Sequence, residues 1–347
     1  MTIPEQNSLQ PDLPRRGLLA TAAAAAIAAA GFGAAPPVAA QTAQPADWRV
    51  TSAAQPGLLR DHHLRIAEAI TKGSGNAVKA EFQFVASEQE ALQQVVRGRL
   101  QVGVISVLGL ASIAPELAVF ATPYLWASPA EGDAILDRQG MQWVAPAMDA
   151  KGLVLIGMAE TGFNDVVGKL PLLAPADVKG KKIRVSPAPS SQFFWSSLAA
   201  NGVQLPLGEM FPGLEQGLVE GADLPFVYYI TTPAAKSAPH VTLTRHTHLF
   251  NGVVANKAEW GKLSPAQQDG IRKALPSYAT LRAEVRAAEG PLMARFESEG
   301  GKVHRISDAQ RKAWYEMVAP GQAAYVEKIG PAAVKLFSEI QAARKGR

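Results

Sequence analysis

The chain has 347 residues, of which 48% are hydrophobic and 18% are charged, and its formal net charge at pH 7 is +4. The composition is typical of a globular protein long enough for two domains, and the scattered basic residues favour a solvated surface over a nucleic-acid interface. There is no cysteine, which excludes disulfide bonds, thiolate metal sites, cysteine nucleophiles and a lipoprotein anchor.

The N-terminus has the pattern of an export signal. Arg15 and Arg16 precede an alanine-rich run, and small residues continue to Ala40. A charged segment, an apolar segment and a small-residue end are typical of a signal peptide, and paired arginines indicate the twin-arginine route. A membrane anchor is the alternative, but glycines and prolines interrupt the run before it reaches the ~20 residues that a span needs. We therefore predict a signal peptide over 1–40 and a periplasmic mature protein that does not span the membrane.

The mature chain begins with alternating strands and helices. We predict strands at Trp48 to Ser52 and Val78 to Phe84, a helix started by Ser87, and a nearly continuous apolar strand from Leu100 to Val107. Such a run fits a parallel strand that is covered on both faces. Because ligands of such sheets lie beyond the carboxyl ends of the strands, Ser106 becomes a candidate pocket residue.

The middle of the chain repeats this alternation. A buried strand, Leu153 to Met158, is followed by 161–164, where we expect the chain to cross to a second domain. Strands and helices then alternate at Lys182 to Val185, Phe193 to Ala200, Val203 to Leu205, Glu209 to Gln216 and Gly221 to Leu224. This order predicts an α/β architecture with parallel strands.

Arg184 is the most informative residue of this segment. It lies on a strand between Ile183 and Val185, so its side chain points to the face opposite both apolar neighbours. A guanidinium near a core needs a partner, and it suits a planar carboxylate held by two parallel hydrogen bonds. The alternative is a structural arginine paired with an internal acid.

The last third of the chain predicts strands and long helices. Val241 to Leu249 and Gly252 to Asn256 have the pattern of strands that return to the first domain. Ser264 starts a long helix that we expect to be kinked at Pro276, because proline removes an internal hydrogen bond. His246 and His248 point to the same side of a strand, but no third ligand is apparent nearby, so we predict no metal site.

Two sequence blocks carry a family resemblance. KIRV at 182–185 and LPLGEMFPGLEQGLVEGADLP at 205–225 resemble the signature of the solute-binding proteins of tripartite ATP-independent periplasmic (TRAP) transporters, the DctP family. In that family the arginine matching Arg184 binds the carboxylate of an organic acid, and the loop after the strand ending near Ser106 lines the cleft.

The resemblance implies a two-domain periplasmic-binding-protein-like fold. Each domain is expected to hold a mostly parallel sheet flanked by helices, with crossovers between the domains and a long helix in the C-terminal half. We place 48–163 and about 250–295 in domain I, and 164–249 and about 296–347 in domain II.

Departures from the family pattern concern the ligand. Asn164 stands where many members have a second arginine, Leu224 where they have an asparagine, and Leu207 near a common aromatic position. These changes predict a compact monocarboxylate with an apolar or aromatic body. The pair Asp223-Leu224 differs from the Glu-Trp pair that binds ligand and metal in the α-keto-acid branch, and no cofactor is predicted.

The candidate ligand-binding residues are Arg184, Asn164, Ser106, Leu207, Glu209, Leu224, Asp223 and Trp195. For Asn164 the alternative is a turn cap, and for Trp195 a place in the helix core is favoured.

The predicted function is a periplasmic receptor that captures a small organic acid by hinge closure and delivers it to the membrane subunits of a TRAP transporter. The alternatives are an ABC-type solute-binding protein and an exported α/β enzyme acting on a carboxylate, with Asp223 or Glu209 as its base. No G-x-S-x-G, H-E-x-x-H or phosphate-binding GKS motif is present, so we predict that the protein is not an enzyme.

Overall fold

The computed structural model describes residues 44–346. The predicted signal peptide, including Arg15 and Arg16, lies outside the described residues. Within 44–346, no helix combines the length and the hydrophobicity that crossing a membrane requires.

One mixed sheet of nine strands runs through the described chain. In chain order the strands are β1 Ala46–Ser52, β2 Val78–Phe84, β3 Val102–Ser106, β4 Leu153–Gly168, β5 Lys182–Val185, β6 Asn201–Gln204, β7 Gly221–Pro225, β8 His240–Asn256 and β9 Lys302–His304. Their order across the sheet is β2-β1-β3-β8-β4-β7-β5-β6, and β9 pairs with β8. The strands β2-β1-β3 at one end and β7-β5-β6 at the other are parallel.

Helices flank this sheet. They are α1 Leu58–Gly73, α2 Glu88–Val96, α3 Val107–Leu110, α4 Pro129–Ile135, α5 Met141–Asp149, α6 Pro175–Val178, α7 Pro189–Ser197, α8 Leu207–Glu215, α9 Phe226–Tyr229, α10 Ala234–Ser237, α11 Lys257–Trp260, α12 Pro265–Ala274, α13 Tyr278–Ser298, α14 Asp308–Val318, α15 Gln322–Ile329 and α16 Pro331–Lys345. A 3-10 helix at Pro115–Ala121, a π-turn at Leu136–Gly140 and a 3-10 turn at Ala319–Gly321 connect some of them. The 21-residue α13 is the long helix expected in the C-terminal half.

The two parallel groups are joined by two long antiparallel strands, β4 and β8, of 16 and 17 residues. The sequence predicts that the strand beginning at Leu153 ends at Met158, before the crossing at 161–164, and that β8 is two strands. Instead, β4 continues through this segment by shifting register three times, at Leu155/Gly157, Glu160/Gly162 and Asn164/Val166. Gly162 has a φ of 109°, a conformation that L side chains rarely adopt, so glycine suits this irregularity.

Apolar clusters cover both faces at each end of the sheet. On β3, Val104 and Ile105 belong to different clusters, and so do Val166 and Val167 on β4. Because neighbouring strand residues point to opposite faces, both sides of the sheet are buried, as the near-continuous apolar runs predicted.

Serine caps place several helix starts where the sequence predicted them. Ser87 and Ser264 accept hydrogen bonds from backbone amides in the first turns of α2 and α12. The expected helix kinked at Pro276 is instead two helices, because α12 ends at Ala274 and Ser277 caps α13. Proline has no backbone N–H to donate, and its ring disfavours helical backbone angles at the preceding residue, Leu275. Both effects explain why the helix ends here.

The C-terminal helices pack into two different cores. Trp314 of α14 lies in the core around β5 and α7. Residues of α15 and α16, such as Tyr325 and Leu336, pack instead with Phe120 in the core beside β3. The sequence shows that a helix has an apolar face, but it does not show which core that face packs against. The predicted domain assignment remains a prediction, and its boundaries fall inside β4, β8 and α13.

Candidate functional site

A cavity of about 220 Å³ lies beyond the carboxyl ends of β1 and β3, which are parallel to each other, and of β5 and β7, which are also parallel to each other. Its lining at these strand ends comprises Ser52, Ser106, Ser186 and the β7 residues Asp223, Leu224 and Pro225. The long strands close one side with Thr161, Asn164, Leu249 and Asn251. Because the two groups of parallel strands end at one place, the fold gathers side chains from distant parts of the chain around one space.

Arg184 contributes a buried cation to this cavity. It is 4% exposed, and its Nε donates a hydrogen bond to the backbone oxygen of Leu205 at 3.0 Å. Its remaining guanidinium nitrogens have no hydrogen bond or ion pair with the other residues of 44–346. Burial lowers the pKa of Arg184, and the negative charge of nearby Asp223 offsets this only in part. The structure therefore offers no internal acid as a direct partner of Arg184, and the guanidinium can receive an anion from the cavity.

Asp223 is held by three donors. Asn164 Nδ2 donates to Oδ2 at 2.6 Å, Trp195 Nε1 donates to Oδ1 at 2.8 Å, and Ser191 Oγ donates to Oδ1 at 3.4 Å. His246 Nε2 lies 3.5 Å from Oδ2. Burial acts to raise the pKa of Asp223, but hydrogen bonding and the charges of His246 and Arg184 outweigh it, so the pKa is lowered. Asp223 is thus a fixed acceptor, and its partners explain why it remains ionised beside the cavity.

Glu88 is a second carboxyl group in the lining. Its two oxygens accept hydrogen bonds from Ser106 N at 2.7 Å and from Ser106 Oγ at 2.8 Å. Burial raises the pKa of Glu88, against the effect of these hydrogen bonds. Glu88 forms no ion pair within the described part of the chain. Its carboxyl oxygens can therefore accept a further hydrogen bond from a donor group on a ligand.

His63 also lines the cavity as a neutral group. Its Nδ1 lies 2.7 Å from Ser52 Oγ, and burial lowers its pKa to about 3. At neutral pH the imidazole can therefore offer a hydrogen bond without adding a charge.

The structure brings most of the predicted site residues together. Ser106, Asn164, Arg184, Leu207, Asp223 and Leu224 all line the cavity. Glu209 is solvent-exposed in the first turn of α8 and lies outside the lining, because only one face of that helix is turned inward. Trp195 is fully buried in the core and reaches the site only through its hydrogen bond to Asp223.

The sequence reasoning missed Glu88, His63 and Asn251. In the sequence Glu88 follows the serine that caps α2, so it has the appearance of an ordinary first-turn acid. His63 lies on the apolar stripe of α1, where a buried histidine gives no signal of its own. Asn251 lies at the place where the prediction interrupted β8. Its position in the lining follows from the continuous strand.

No group of three or more metal-ligating His, Cys, Asp or Glu residues occurs within 44–346. His246 and His248 do lie on one side of β8, as predicted. The His248 Nε2 atom is 2.9 Å from Glu160 Oε1, inside the structure.

The comparison with known families is decisive. The model of the bacterial extracellular solute-binding proteins, family 7 (DctP), matches residues 82–328. The chain belongs to this family. The resemblance drawn from the KIRV and LEQGLVEG blocks is thereby confirmed, and the receptor interpretation is favoured over the ABC-type and enzyme alternatives.

Relatives of this DctP-family protein align along most of its length. A solute-binding protein of Verminephrobacter eiseniae is 26% identical over 280 residues, which cover 79% of this chain and 83% of the relative. The ectoine/5-hydroxyectoine-binding periplasmic protein UehA of Ruegeria pomeroyi is 25% identical over 326 residues, 91% of this chain and 95% of the relative.

Solved structures of TRAP solute-binding proteins share the fold. The sugar acid binding protein of Advenella mimigardefordensis, in complex with galactonate, has a TM-score of 0.79 at 23% identity, covering 86% of this chain and 99% of that chain. A TRAP periplasmic protein of Sulfurospirillum deleyianum with bound succinate has a TM-score of 0.76 at 20% identity, covering 86% and 98%. These likenesses confirm the predicted two-domain α/β fold class.

Proposed function

We propose that this protein is the periplasmic receptor of a TRAP transporter, that it captures a small organic acid, and that Arg184 binds the acid's carboxylate. The observation that carries the proposal is the buried guanidinium that lines the cavity without an internal anionic partner. An unpaired buried charge is costly, so a carboxylate that enters the cavity gains a strong, charge-assisted partner. The organic acids bound in two solved relatives, galactonate and succinate, support this class of ligand.

The cavity sets limits on the ligand. Its volume of about 220 Å³ is below the ~300–1,000 Å³ of pockets for drug-sized molecules, which supports a compact acid. Leu207 and Leu224, which the sequence selected as apolar ligand contacts, line the cavity together with Leu249. Glu88 and His63 add polar groups that the sequence reasoning did not include. We therefore propose a compact monocarboxylate whose body is partly apolar and carries at least one hydrogen-bond donor.

Hinge closure is the proposed capture step. Residues of both parallel strand groups line the cavity, so a bound acid would contact both ends of the sheet. A ligand with contacts to both halves favours the closed arrangement by its differential affinity. We place the hinge at the register shifts of β4, because irregular pairing allows bending where regular pairing resists it. The membrane subunits of the transporter would then receive the acid, and export would use the twin-arginine route.

Two measurements test the proposal. Mass spectrometry of small molecules released from the purified protein should identify a retained acid, and a thermal-shift screen of organic acids should find hits among compact monocarboxylates. Stoichiometric binding without a product is expected. Turnover of a bound acid would support the enzyme alternative, and a screen whose hits were all uncharged or cationic molecules would overturn the carboxylate assignment.

A further inference from the structure

A second cavity, of about 230 Å³, lies on the other face of the long strands. On β4, Asn164 lines the first cavity and its neighbour Phe163 lines the second. On β8, Leu249 lines the first cavity and His248 lines the second. Since neighbouring strand residues point to opposite faces, the two cavities are separate spaces with β4 and β8 between them.

The lining of the second cavity is cationic. It includes Arg245 and Arg311 and no aspartate or glutamate. Arg245 Nη2 pairs with Glu289 at 3.0 Å, which leaves its other guanidinium nitrogens without a partner inside the described chain. Arg311 Nη1 donates to two backbone oxygens, of Leu243 at 3.1 Å and Thr244 at 2.9 Å, and Arg311 has no ion pair with any carboxylate of 44–346. One of the two positive charges is therefore uncompensated by a direct contact.

Buried polar atoms of the lining also lack partners. His248 Nδ1 and Tyr124 Oη have no hydrogen bond to any described residue, whereas His246 Nε2, which also has none, lies 3.5 Å from the Asp223 carboxylate. The side chains of His246 and His248 are 1% and 0% exposed. Buried polar groups are normally satisfied, so unpartnered atoms beside an empty space point to an occupant that accepts or donates hydrogen bonds.

We propose that this second cavity binds a small oxyanion, such as sulfate, phosphate or a short carboxylate. The two guanidinium groups provide charge-assisted donors, and the imidazole and phenol groups can donate to further oxygens of the same ion. No carboxylate lines the cavity itself, so the carboxyl groups of Glu160, Asp165 and Glu289, which contact residues of the lining, oppose an anion only from behind that lining. This site is distinct from the proposed ligand site, although His246 Nε2 lies 3.5 Å from Asp223 and thereby adjoins both.

Selenate locates the site directly. Crystals of the protein soaked in selenate should show an anomalous peak within hydrogen-bond distance of Arg245 or Arg311 in the second cavity. A peak only beside Arg184, a peak only on the outer surface, or no peak would overturn the proposal. This measurement uses the wild-type protein, so it does not depend on the folding of any variant.

Thermal melting in solution separates the two cavities. At millimolar concentration, the general exclusion of sulfate from protein surfaces has little effect. Sulfate should then give a saturable extra rise in Tm of a few degrees over chloride at equal ionic strength, because an ion that binds only the folded state stabilises it. This extra rise should persist in Arg184→Gln and in the exposed control Arg295→Gln, and it should be lost in Arg245→Gln and Arg311→Gln. If it disappeared with Arg184→Gln alone, sulfate would be binding the first cavity and the second-site proposal would fail.

Discussion

Replacing Arg184 by methionine separates ligand binding from structural support. The side chain is 4% exposed, and its one hydrogen bond is the contact of Nε with the Leu205 carbonyl. In the ligand-free protein the substitution removes that bond, worth about 0.5–1.5 kcal/mol, and also removes an unpaired buried charge. These effects oppose each other, so we expect the ligand-free stability to change by no more than about 1 kcal/mol.

Binding should respond very differently. With Arg184→Met, the ligand carboxylate would be buried without its cation, and losing one partner of a buried charged pair costs roughly 2–5 kcal/mol. At ~1.4 kcal/mol per decade this is about 30-fold to several-thousand-fold in affinity. Arg184→Lys should recover only part of the loss, because an ammonium group cannot form the two parallel hydrogen bonds of a guanidinium.

Calorimetric titration with the acid found in the screen, together with melting of the ligand-free proteins, is the assay. Arg286→Met is a matched control, because Arg286 pairs with Glu160 at 3.2 Å and Asp133 at 3.5 Å. This control should lower the ligand-free stability by leaving Glu160 with fewer partners. Near-normal affinity in a folded Arg184→Met, or a loss of ligand-free stability as large as that of Arg286→Met, would refute the reasoning.

Three further outcomes are expected. Burial raises the pKa of Asp165 to about 7, so the folded state keeps a proton that the unfolded state loses at about pH 4, and stability falls as pH rises towards 7. Asp165→Asn should abolish this loss, which amounts to about 3 kcal/mol between pH 5 and 8, as measured by denaturant melts. Glu88→Gln should weaken binding of acids that carry a hydroxyl or amino donor by about tenfold and leave other acids unaffected, as measured by titration. Replacing Arg15 and Arg16 by lysine should leave the precursor in the cytoplasm by cell fractionation.

Each of these has a contradicting result. Equal pH profiles of wild type and Asp165→Asn would show that the Asp165 carboxyl ionises in the folded protein as it does in the unfolded one. An equal loss for all acids with Glu88→Gln would assign Glu88 a structural role through Ser106. Normal periplasmic delivery of the lysine variant would exclude the twin-arginine route.

The sequence predicted those parts of the site that depend on local geometry. Strand alternation directs Arg184 away from its apolar neighbours, and the rule for strand ends selects Ser106, so both were found before the structure. Glu88 could not be found in this way, since a first-turn acid looks the same whether it faces solvent or a cavity. The hydrogen bond from Trp195 to Asp223 depends on the packing of α7 against β5, which no spacing in the sequence encodes.

For the fold, likewise, the sequence predicted individual strands but not how they are connected. The apolar run of β3 indicates a parallel strand buried on both faces, and the structure has it. The continuity of β4 was missed because Gly162 and its neighbours resemble a chain break. A register shift and a turn place the same kinds of residues in the sequence, and only pairing with β8 distinguishes them.

The shared strands also determine how the chain can be divided. β8 is made late in the sequence, yet it supplies the partner of β3 at one end and of β4 through the middle. A fragment that ended at Gly168 would contain β4 without its neighbours β8 and β7, and one edge of β3 would be unpaired. The complementary fragment would have unpaired edges on β7 and β8. Unpaired strand edges of this length pair with other chains and cause aggregation, so neither half is suited to separate expression. During synthesis, the sheet can form completely only after the ribosome has passed Asn256.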